Sequence, residues 1–175
     1  MTFGKNSGKG GTMKHFAPLL AAAPLLALAA CGGASNPATK TKPVYCPSVA
    51  VLEQGNSLTQ YLPGRNDVAA QITTASITGV AGDCDVKGDH APLRLNFKVG
   101  FSASNGPADH GRPVSLPYFV AITQGDKIIS KQPYSITLKF DGNASTASAV
   151  SKSIELQFPN DPSNLNYQVL VSFQR

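Results

Sequence analysis

Apolar residues recur at every second position over much of the chain beyond residue 46. Leu93, Leu95, Phe97, Val99 and Phe101 form the clearest run, and Tyr134, Ile136, Leu138 and Phe140 repeat it. Successive side chains of an extended strand point to opposite faces, so a period of two predicts strands with one face buried and one in water. Val49 with Val51, the Ile/Thr/Val-rich stretch from Ile72 to Val80, and Tyr118 to Ile122 predict three more. Val150, Ile154, Leu156 and Phe158 mark another, and Tyr167, Val169, Val171 and Phe173 the last. Gly125-Asp126 and Asp141-Gly142-Asn143 supply turn residues between them. About seven strands and no amphipathic helical pattern predict an all-β fold, an antiparallel β-sandwich. A small β-barrel is the alternative, since strand spacing alone separates the two poorly.

The N-terminal pattern is different. Residues 17–30, APLLAAAPLLALAA, are apolar, follow Lys5, Lys9 and Lys14, and precede a run rich in Gly, Ser, Asn and Pro. Fourteen residues are too few to span a bilayer as a helix, which takes about 20. Their length, charged flank and small-residue end are those of a signal peptide. Gly8-Lys9-Gly10-Gly11-Thr12 does not meet the needs of a phosphate loop, because no strand precedes it and a signal segment follows. Translation from Met13 would give a compact leader.

Leu28-Ala29-Ala30-Cys31 resembles the lipobox of bacterial lipoproteins. The resemblance implies that Cys31 becomes the first residue and carries diacylglyceryl and amide-linked acyl chains such as palmitate, enough to hold the protein on a membrane. Gly32, in place of the aspartate that resembles an inner-membrane retention signal, favours the outer membrane of a Gram-negative cell. Residues 1–30 are thus expected to be a signal peptide, 31–45 a flexible tether, and 46–175 the β-sandwich domain.

Charge changes with that division. The net +5 of the whole chain includes three leader lysines; 15 basic residues less these 3 leave 12 against 10 acidic, or +2. No basic run remains to track phosphates, which excludes a nucleic-acid partner.

With Cys31 taken by lipid, Cys46 and Cys84 remain, an even pair in an exported chain, and predict one disulfide. Cys46 starts the first expected strand and Cys84 ends the second, so a hairpin-like pair would set them side by side. A redox role is disfavoured: Asp83 and Asp85 flank Cys84 and oppose a thiolate.

Asp83-Cys84-Asp85-Val86-Lys87-Gly88-Asp89-His90 fails as a calcium loop, with Lys87 at the fifth position and Arg94 at the twelfth. A metal site on Asp85, Asp89 and His90 is conceivable, but a solvated turn is the default, and no metal or cofactor is expected. The segment 103–117 is more suggestive, with Asn105, Asp109, His110 and Arg112 among glycines and prolines. Long loops on a rigid sandwich often carry binding residues, so these four are the expected binding loop. Arg112 equally suits pairing with Asp109 or a carbonyl to hold the loop. No nucleophile motif accompanies them, and no catalytic residue is expected. The sequon Asn143-Ala144-Ser145 carries no weight in a bacterium.

Leu156 through Pro159 and Pro162 to Tyr167-Gln168-Val169-Leu170-Val171 resembles the tyrosine-corner region of fibronectin-III and immunoglobulin-like domains, except that here the tyrosine strand is last. This makes the expected sandwich Ig-like. Cys46-Pro47, Gly82-x-Cys84, Gly106-Pro107, Gly111-Arg112, Pro117 to Ala121 and the final Tyr-x-Val-Leu-Val together resemble a group of functionally uncharacterised proteobacterial envelope lipoproteins. That resemblance implies a compartment rather than an activity. The expected function is a lipid-anchored envelope module, structural or protein-binding, facing the periplasm and joined to the membrane through Cys31. Its exposed strand edges offer sites for β-augmentation. The alternative is a carrier or sensor of a small ligand in an apolar pocket.

Overall fold

The computed structural model describes residues 43–88 and 91–175; the signal segment, Cys31, most of the tether and the Asp89-His90 pair lie outside the described residues. Among the described residues, nine strands form two sheets, and neither is closed into a barrel. The first sheet has the order β1 (Ser48–Val51), β9 (Tyr167–Phe173), β5 (Val114–Gln124), β6 (Lys127–Leu138). The second has the order β2 (Ser57–Tyr61), β3 (Gln71–Val86), β4 (Leu93–Asn105), with β7 (Thr146–Val150) and β8 (Ile154–Phe158) both beside β4. Pairing is antiparallel except for β1 against β9, which run parallel. Among the described residues the only helical turns are short 3₁₀ pieces, Glu53–Gly55, Val68–Ala70 and Pro162–Asn166.

The period of two fills the space between the sheets. Leu93, Leu95, Phe97, Val99, Phe101 and Ala103 of β4 are all buried. They face Val114, Leu116, Tyr118 and Val120 of β5 and Val169, Val171 and Phe173 of β9. Phe101 anchors an aromatic cluster, 4.9 Å from Tyr118 and 5.8 Å from Phe173 between ring centroids, and Tyr134 stacks on Tyr118 at 5.4 Å. Burial pushes the Tyr118 phenol above its ordinary value, offset in part by a hydrogen bond with Ser151.

Several expectations are corrected. The single strand expected around residues 150–158 is two, broken at residues 151–153. Ser57–Tyr61 is a strand that the apolar pattern misses. The Asp83-Cys84-Asp85 sequence lies within β3 rather than in a turn. Pro43 and Tyr45, assigned to the tether, are fastened to the domain: Asn160 donates to the Pro43 carbonyl and accepts from the Tyr45 N–H.

Candidate functional site

Two places in the fold bring together residues able to bind something. The first is the crossover between β4 and β5. Because β4 runs to Asn105 and β5 begins at Val114, the connection is residues 106–113, shorter than the 103–117 expected, and it passes from one sheet to the other. Its N-terminal half is pinned to β3: Gly106 donates to the Ile72 carbonyl at 2.7 Å and Ala108 to the Gln71 carbonyl at 2.9 Å. A Cβ at Gly106 would collide with the Gln71 carbonyl, so only glycine permits this approach.

The C-terminal half is a tight turn. His110 and Gly111 both have positive φ, 54° and 70°, and the Arg112 N–H returns to the Asp109 carbonyl at 3.4 Å. Two successive positive φ values are what a type I′ turn requires. Asp109 caps it, its Oδ2 accepting the Gly111 N–H at 3.1 Å. An aspartate two residues before a glycine is an Asx-turn signal present in the sequence.

Of the expected binding residues, Asn105 and His110 are exposed and Arg112 stands at the rim, whereas Asp109 is 1% exposed. Asp109 and Arg112 line one cleft of about 280 Å³ with Gln60, Ile72, Pro113, Val114 and Ser115, and His110 does not join them. The Arg112 guanidinium forms no ion pair with Asp109; the backbone holds the turn instead. The remaining Asp109 oxygen, Oδ1, is buried with no hydrogen-bond partner among the described residues. The Gln60 amide donates to the Ser115 carbonyl at 3.0 Å and ties the two sheets beside the cleft.

The second place was not among the expected binding residues. β2 covers β3 only from Gln71 to Ser76, with one further bond from the Ile77 N–H to the Asn56 carbonyl. A bulge between Ile77 and Gly79 follows, and from there to Val86 no strand among the described residues pairs with β3 on that side. Cys46 and Cys84 are disulfide-bonded here, with Cα atoms 6.1 Å apart. That separation lies within the usual range for a bridge of about 4.4–6.8 Å. The bond differs from the hairpin staple expected, because Cys46 precedes β1 of one sheet while Cys84 lies in β3 of the other. It ties the segment before β1 to the far end of β3.

Between β1 and β3 lies a mostly apolar groove of about 270 Å³, lined by Pro47, Val49, Val80, Gly82, Leu95 and Phe97 with the disulfide, and edged by Ala81 and Asp83. Asp85, which faces outward from β3, is held by Arg94 at 3.1 Å and Lys87 at 4.0 Å. The expected alternative of a metal on Asp85, Asp89 and His90 falls partly outside the described residues. Among those described, no three His, Cys, Asp or Glu side chains converge.

No protein-family model, curated protein or solved structure matches the chain.

Proposed function

We propose that this chain is a lipid-anchored module of the bacterial cell envelope that works by holding another polypeptide. In this reading Cys31 carries the acyl chains and the tether spaces the sandwich from the outer membrane on its periplasmic side. The Leu28-Ala29-Ala30-Cys31 sequence supports the anchor. The Cys46–Cys84 disulfide supports an oxidising compartment, since such bonds persist outside the cytoplasm.

The observation that carries the binding role is the edge of β3 beyond the bulge, whose backbone groups have no partner strand among the described residues. The alternative, a small-ligand carrier, calls for a sizeable apolar cavity. Phe97, Phe101, Leu116, Val169 and Val171 occupy the space between the sheets, which lends that alternative no support.

Feeding an alkyne-bearing palmitate analogue to cells that produce the full chain tests the anchor. The expected result is labelled protein in the membrane fraction, with label and sedimentation both lost in Cys31→Ala. An unlabelled wild type, or label retained in the variant, overturns the proposal.

A further inference from the structure

We infer that β3 from Val80 to Cys84 is a docking strand for an extended, basic segment of another polypeptide, which gives the protein-binding role proposed above a site and a partner chemistry.

The other edges are poor acceptors. β1 and β2 are four and five residues long. β7 and β8 are interrupted at residues 151–153. β6 is long, but it carries Lys127, Lys131 and Pro133, residues that blunt an edge against strand addition. Pro133 also has no N–H to offer.

The hydrogen-bonding direction of β3 follows from its neighbour. The Ser151 N–H donates to the Val99 carbonyl, and the Val99 N–H donates to the Ser151 Oγ, so both backbone groups of Val99 face away from β3. Val80 is the register partner of Val99, Gly82 of Phe97 and Cys84 of Leu95. In an antiparallel ladder the bonded and non-bonded pairs alternate, so Val80, Gly82 and Cys84 all direct their N–H and C=O groups to the open side. Ala81, Gly82 and Asp83 are exposed there.

Side-chain chemistry selects the occupant. A strand laid along this edge would turn every second side chain toward the groove, over Pro47, Val49, Leu95 and Phe97, which favours small apolar residues at those positions. Its alternate residues would lie on the outer face beside Asp83. Unlike Asp85, Asp83 forms no ion pair among the described residues, so a lysine or arginine there is complementary. A second copy of this chain pairing edge to edge would offer Asp83 no cation, since Val80 to Cys84 contains none.

Amide hydrogen exchange, read residue by residue on the purified full-length protein in detergent, tests this. The probe is an end-blocked octapeptide alternating valine and lysine; its counterpart has glutamate for lysine. The expected result is exchange at Gly82 and Cys84 slowed at least tenfold by the lysine peptide. The glutamate peptide should have no such effect, and β6 amides should stay unchanged. Asp83→Lys should abolish the response to the lysine peptide. No slowing at Gly82 and Cys84, equal slowing by both peptides, or protection that grows with protein concentration alone overturns the inference. Acylation at Cys31 is read separately by the palmitate label, so either failure is recognised by itself.

Discussion

Ser151 occupies both backbone groups of Val99, donating its own N–H to the Val99 carbonyl at 2.9 Å and accepting the Val99 N–H on its Oγ at 3.0 Å. The hydroxyl takes the place of a strand carbonyl where β7 gives way to β8, and it donates a hydrogen bond to the Lys152 carbonyl at 2.8 Å. Ser151→Ala would orphan an N–H on a residue with no solvent exposure. The expected loss is about 1–3 kcal/mol, and a melting temperature lower by roughly 3–8 °C. Thermal unfolding followed by circular dichroism checks it; an unchanged melting point would show that Val99 finds another acceptor.

The Cys46–Cys84 bond joins the two sheets across a sequence separation of 38. For a loop of that length the chain-entropy estimate is about 3–4 kcal/mol. Urea denaturation with and without reductant should show a difference in unfolding free energy of that size. The Cys46→Ala/Cys84→Ala double variant should match the reduced protein. Equal midpoints with and without reductant would mean that the bridge adds nothing to the packed sandwich.

Tyr118 sets an alkaline limit. Its folded-state value lies above the ordinary 10.0, because burial disfavours the phenolate. The stabilisation is fully present below pH 10 and is lost as pH rises from there through the folded value, since the unfolded chain gives up the proton first. Melting temperature measured from pH 8 to 11 should therefore fall more steeply above pH 10 in the wild type than in Tyr118→Phe. Identical slopes would contradict the assignment.

In the crossover, backbone conformation is the controlling quantity. His110 sits at φ 54°, a region costly for a residue with a Cβ. His110→Gly should leave stability unchanged or raise it by up to about 1 kcal/mol. Gly106→Ala, by forcing a Cβ onto the Gln71 carbonyl, should cost about 1–3 kcal/mol. Chemical denaturation of the two variants distinguishes this from a His110 contribution to packing, which would make His110→Gly the more damaging change.

The inward faces of β4, β5 and β9 were legible in the sequence because each buries one side of a strand in a continuous core. β2, with the sequence SLTQY, was not, since its side chains are half-buried or exposed and leave little alternation to see. The far half of β3 was expected as strand as far as Cys84, but its open edge was not legible. Ala81, Gly82 and Asp83 pair with β4 alone among the described residues, and alternation reports which face of a strand is buried, not whether another strand lies alongside. The pairing of β1 with β9, which moves Cys46 to the opposite sheet from Cys84, joins residues more than a hundred positions apart. Asp109, expected in a binding loop, is buried. The Asp-x-Gly spacing of its Asx-turn is present in the sequence, whereas the long-range bonds of Gly106 and Ala108 to β3, which draw the crossover against the sheet, leave no local pattern.

Binding at the β3 edge is tested by photo-crosslinking in intact cells, with a benzophenone amino acid placed in turn at Ala81 on the open edge of β3, Lys131 on β6 and Arg112 on the crossover. One discrete protein adduct is expected from position 81, lost when Asp83→Lys is added, and none from positions 131 or 112. An adduct from position 112 in place of 81, or no adduct from 81, would contradict it.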